Sequence, residues 1–70
     1  MKWIAVDSSN ISALKYDEKE RILSVRFHQG ATYEFFHVPR SVFEGLMGAA
    51  SKGQHFHQHV KGKYEYRRIN

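Results

Sequence analysis

The stretch from Phe27 to Val60, FHQGATYEFFHVPRSVFEGLMGAASKGQHFHQHV, constrains the fold more than any other part of the chain. It is entered by a strand pattern. Across Arg21–His28, Leu23, Val25 and Phe27 point one way while Ser24, Arg26 and His28 point the other, the period-two signature of a half-buried strand. Gln29-Gly30 then supplies a tight turn, because glycine accepts positive φ. Thr32–Val38 reads as the return strand, with Tyr33, Phe35 and His37 on one face and Thr32, Glu34, Phe36 and Val38 on the other. At Val38-Pro39 the pattern switches to helix. Proline pushes the residue before it out of helical geometry, yet fits the first turn of a helix. Val42, Phe43, Leu46, Met47 and Ala50 recur at helical spacing as one apolar stripe. Ser51-Lys52-Gly53-Gln54 has the S-x-x-Q form of a capping box. It predicts a second short helix with Phe56 and Val60 on its buried side and Gly62 as its stop.

The flanking segments are less decisive. Lys2–Val6 reads as a short strand, Asp7-Ser8-Ser9-Asn10 as turn chemistry, Ile11–Tyr16 as a second strand and Asp17-Glu18-Lys19-Glu20 as a charged connection. The tail Lys63–Ile69 alternates Tyr64, Tyr66 and Arg68 against Glu65, Arg67 and Ile69, which fits either a last strand or an ordered extension. The predicted fold is therefore α+β. A small antiparallel β-meander of three or four strands packs against one or two C-terminal helices, and residues 1–70 form one domain. At this size folding buries only about 60% of the unfolded chain's surface, so one modest core must supply the stability. The chain has no cysteine, which excludes disulfides, thiolate metal sites and a catalytic Cys. The opening MKWIAVDSS resembles neither a secretory signal nor a membrane span, and the expected location is the cytoplasm.

Charge is unevenly placed. Lys2, Lys15, Lys19, Arg21, Arg26 and Arg40 balance Asp7, Asp17, Glu18, Glu20, Glu34 and Glu44, so residues 1–50 are neutral. The formal charge of +4 sits in the last twenty residues, where Lys52, Lys61, Lys63, Arg67 and Arg68 oppose Glu65 alone. A polyanion would feel that end first, although a basic tail also serves solubility. Aromatic rings beside cations suit single-stranded nucleic acid, since rings stack on bases and cations follow phosphates. The candidate nucleic-acid-binding residues are Lys52, Lys61, Lys63, Arg67 and Arg68 for phosphate, with Tyr64 and Tyr66 as stackers. Tyr33 and Phe35 share a strand face and would also make a platform, but a chain this short needs such rings for its core. About four phosphates neutralised on a single strand predicts a log–log salt slope near −3.

Other chemistries find little footing. His55 and His59 lie one helical turn apart, a spacing that grips a metal ion. Phe56 and Gln58 stand where a zinc-hydrolase helix needs Glu, and His57 points away, so no metal or other cofactor is expected. Charging of His55, His57 and His59 near pH 6 would instead strengthen attraction to an anion. Ser8, Ser9, Ser12, Ser24, Ser41 and Ser51 all have structural readings, and no phosphate-binding G-x-x-x-x-G-K-[ST] loop is present. No nucleophile, base and orienting group assemble, and an enzyme is not expected.

The order Ser8-Ser9-Asn10-Ile11, Tyr16-Asp17, Leu23-x-Val25-x-Phe27, Gly30-x-x-Tyr33-x-Phe35, Val38-Pro39, Ala50-Ser51-Lys52-Gly53 and Phe56-x-x-x-Val60 resembles the KTSC family over about residues 7–64. That family is named for its occurrence at the C-terminus of some lysyl-tRNA synthetases, and it also occurs as small free-standing bacterial and phage proteins. Its central Tyr-x-Tyr is Tyr33-Glu34-Phe35 here, so the second hydroxyl is missing, and its frequent aromatic-Phe-Asn is His55-Phe56-His57. The synthetase context implies RNA binding. The expected function is a small non-catalytic RNA-binding module. The alternative is a protein-interaction module or small bacterial or phage regulator that docks on an acidic partner surface, perceptible as an exposed apolar patch around Trp3 or Ile69.

Overall fold

The computed structural model describes residues 2–70. Strand β1 (Ile4–Ala5) leads through the Ser-Ser-Asn turn to β2 (Ile11–Asp17), followed by β3 (Ile22–Phe27) and β4 (Thr32–Phe35). Helices α1 (Arg40–Gly48) and α2 (Lys52–His59) come next, and β5 (Tyr66–Arg68) closes the chain. The sheet is antiparallel with spatial order β1-β2-β3-β4-β5, so the α+β class holds. Five strands replace the three or four expected. Both short terminal segments find a neighbour, β1 on β2 and β5 on β4, and the tail's alternation resolves as a strand.

Register sorts the side chains. Leu14 pairs with Val25, Tyr16 with Leu23, Val25 with Tyr33 and Leu23 with Phe35, which puts all six on the face the helices cover. Ile11, Leu14, Leu23, Val25, Val38, Leu46 and Val60 are fully buried there. Deep in this core the Tyr16 hydroxyl donates to the Val38 carbonyl at 2.6 Å, and its ring stacks on Phe43. The other face carries Ala13, Ser24 and Thr32, small enough to be covered by the long side chains around them. Trp3 lies on this face with the Lys15 ammonium 4.7 Å and the Arg26 guanidinium 4.1 Å from its ring centroid, and Arg67 pairs with Glu34 beside it.

Two local expectations are corrected. The return strand stops at Phe35 rather than Val38, because His37 adopts φ 58° and turns the chain. His37 is thereby exposed, away from Tyr33 and Phe35, while Val38 is fully buried and donates its N–H to the Arg21 carbonyl. Ala50 does not join the α1 stripe, since the helix ends at Gly48 and Ala49 is extended. The second helix starts where the capping box places it, with the Ser51 half of the box formed. Ser51 Oγ accepts the Gln54 N–H, and at the far end the Val60 and Lys61 N–H groups both reach the Phe56 carbonyl before Gly62 turns away at φ 77°. Among the described residues, no helix is long and apolar enough to cross a membrane.

Candidate functional site

Two cross-strand rows place aromatic rings at the open end of the covered face. Phe35 stands between Leu23 and Tyr66, and Tyr33 between Val25 and Arg68. Tyr33 meets Phe27 and Tyr66 edge-on, with centroids 5.8 and 5.7 Å apart. From α2, Phe56 drops onto the sheet and meets Phe27 and Phe35 edge-on, both at 5.5 Å. Such edge-to-face pairs lock ring orientation. Phe35 and Phe56 are sealed into the core, Phe27 and Tyr33 are half-buried, and Tyr66 is 61% exposed.

These five rings line an open pocket of about 710 Å³ between the sheet and α2. Gly53, Gln54 and His57 of α2 continue the lining, with Lys61 and Gly62 just beyond the helix and Asn10 and Gln29 from the turns. The Asn10 corner is fastened. Ser8 Oγ accepts the N–H groups of Asn10 and Ile11, and a Cβ at Gly53 would come 3.3 Å from Asn10 Nδ2. Glycine at 53 thus lets the turn sit against the first turn of α2. Among the described residues no Asp or Glu lines the pocket.

The residues singled out from sequence are dispersed. Lys61 and Tyr66 line the pocket, and Arg68 lies on the same sheet face, opposite Tyr33. Exposed Lys63 follows Gly62 in the loop to β5. Lys52 instead donates to the Ala49 carbonyl at 2.9 Å, bracing the α1–α2 junction. Arg67 points to the opposite sheet face and bonds Glu34 at 2.9 Å. Tyr64 is half-buried and packs on the core. Of the two readings of Tyr33 and Phe35 the structure gives the core one: Phe35 is buried and Tyr33 is half-buried and packed against the core, both on the pocket wall. Asn10, Gln54 and His57 had been legible only as a turn residue, a capping residue and part of a His cluster. Their convergence depends on strand pairing that no local signal carries.

The His55 and His59 rings stand 4.4 Å apart, as helical spacing requires. The His55 imidazole is held below its usual range, first by burial and then by the neighbouring His59. Among the described residues no group of three or more His, Cys, Asp or Glu is placed to hold a metal ion.

A short antiparallel sheet, two helices on one face and an aromatic pocket at their seam define a small two-layer α+β domain. The chain belongs to the KTSC domain family, whose model matches residues 7–64. A KTSC domain protein from Yersinia pestis has the same fold, with a TM-score of 0.93, 37% identity and coverage of 99% of this chain and 97% of that one. A protein of Stutzerimonas stutzeri is 42% identical over the full length of both chains. The lysine–tRNA ligase of Nostoc punctiforme is 41% identical over 64 residues, which is 91% of this chain but 11% of the ligase. The chain therefore spans about a tenth of the length of the ligases it matches.

Proposed function

We propose that this protein is a non-catalytic module of the cytoplasm that binds single-stranded RNA at the mouth of the aromatic pocket. The observation that carries the reading is the pairing of Lys61 with the exposed Tyr66 ring on one pocket lining, with Arg68 on the same sheet face opposite Tyr33 and exposed Lys63 in the loop that leads to β5. Cations draw the phosphates and a ring accepts a base, the two demands of single-strand binding. The likeness to part of lysine–tRNA ligases, proteins named for a tRNA substrate, agrees with this. Docking on a protein has less support. The exposed apolar side chains Ile4 and Ile69 lie toward opposite edges of the sheet, and Trp3 is half-covered by Lys15 and Arg26.

The test is a titration of isotopically labelled protein with an eight-nucleotide single-stranded RNA at two salt concentrations. Salt-sensitive amide shifts clustered at residues 57–68 are expected. A chain carrying Lys61→Ala, Lys63→Ala and Arg68→Ala should stay folded and lose those shifts. An unchanged spectrum at low salt would sink the RNA reading.

A further inference from the structure

We infer that the pocket receives one unpaired nucleobase of the bound strand, so that the module grips RNA by a flipped-in base as well as by phosphate. This rests on the RNA reading and adds to it the part of the ligand that the interior takes.

Three features converge. The first is size. At about 710 Å³ the pocket falls within the roughly 300–1,000 Å³ of small-molecule sites, enough for a base with its sugar at the mouth. The second is the wall. Tyr66 meets Tyr33 edge-on and lies tilted against Phe35, both at 5.7 Å, yet stays 61% exposed, so much of its surface is open for a planar base. The rings beneath are fixed by mutual contacts and by the core, so the surface is preorganised and little ordering cost falls on binding.

The third is the polar rim. Asn10, Gln29 and Gln54 put carboxamides on the lining, groups that offer a donor and an acceptor together and so match the edge of a base. The amide of Gln54 is uncommitted to the helix cap, since only its backbone N–H reaches Ser51. Lys61 at the same mouth supplies the charge that a base's own phosphate needs. An apolar peptide side chain would satisfy the rings and leave the amides and the lysine without partners. A nucleotide uses all three.

The decisive comparison is an eight-nucleotide RNA against the same ribose-phosphate strand made abasic throughout, at equal salt, followed by amide shifts. The intact strand is expected to bind at least about tenfold more tightly, since each stacked base contributes roughly 1–3 kcal/mol and 1.4 kcal/mol is a factor of ten. Tyr66→Ala and Gln54→Ala, both at exposed positions, should remove most of that advantage while leaving the abasic strand's weak binding intact. Adenosine alone should shift the amides of Gly53, Gln54, His57 and Tyr66, and inorganic phosphate should not. Equal affinity for the two strands would overturn the base-pocket inference and leave phosphate-led RNA binding standing. Failure of both strands to bind at low salt would overturn the RNA reading, and this inference with it.

Discussion

Inside the core the Tyr16 hydroxyl donates to the Val38 carbonyl, and removing it takes that partner from a buried carbonyl. Tyr16→Phe keeps the ring and its stack on Phe43, so the loss isolates the hydrogen bond. Urea unfolding should show a cost of about 1–2 kcal/mol with an unchanged slope. His37 shows the opposite case. Its φ of 58° is a left-handed conformation that costs a residue with a Cβ roughly 1–2 kcal/mol, partly offset for glycine by chain entropy. His37→Gly should therefore stabilise the fold by about 0.5–1 kcal/mol in the same assay. His55 brings in pH. Its folded-state pKa lies below the unfolded value of 6.5, so below that value the unfolded chain takes up the proton more readily. Stability from this group is fully present above pH 6.5 and is lost as pH falls toward the folded pKa. His55→Gln lacks that loss, and its stability relative to the native chain should rise between pH 7.5 and 5. A constant difference across that range would remove His55 from the pH dependence.

Helix α2 has eight residues, too few to stand alone, and is held by Phe56 and Val60 below and by Ser51 at its start. Its cap bond is exposed and long at 3.4 Å, so Ser51→Ala should cost about 0.5–1 kcal/mol, the low end for an N-cap, read from the thermal midpoint. The same helix shows which parts of the structure sequence can reveal. Its start, buried side and stop are all local patterns, as are the β3–β4 hairpin and α1. Where such patterns were weak, pairing decided the outcome. Two residues of β1 and three of β5 form strands because β2 and β4 offer open edges. The pocket was less legible still. Phe27 and Phe56 carry only the signal of core residues, and nothing near Asn10 or Gln54 announces that they share a cavity. Alternation did hold one usable clue. Arg67 and Arg68 must point to opposite faces if the tail is a strand, so they never belonged to one phosphate-binding surface.

Folding divides the basic end that the sequence presents as a block. Of its five cations, Lys52 is committed to the Ala49 carbonyl, and Arg67 is carried to the rear face and paired with Glu34. Lys61 lines the pocket, exposed Lys63 lies in the loop to β5, and Arg68 keeps to the pocket's sheet face, its Nε donating to the Asn70 backbone oxygen at 2.9 Å. The electrostatic footprint is thus smaller than composition implies. On the proposed function, three phosphates neutralised on a single strand give a log–log salt slope near −2, rather than the −3 expected from about four. Arg67→Ala should leave that slope unchanged, because its guanidinium faces away from the strand. Lys61→Ala and Arg68→Ala should each lower its magnitude by about 0.7. The measurement is the affinity for one single-stranded RNA between 25 and about 200 mM salt, a range over which counterion release dominates. A slope that falls with Arg67→Ala would move the binding surface to the sheet's rear face, where Trp3, Lys15 and Arg26 already bring a ring and two cations together.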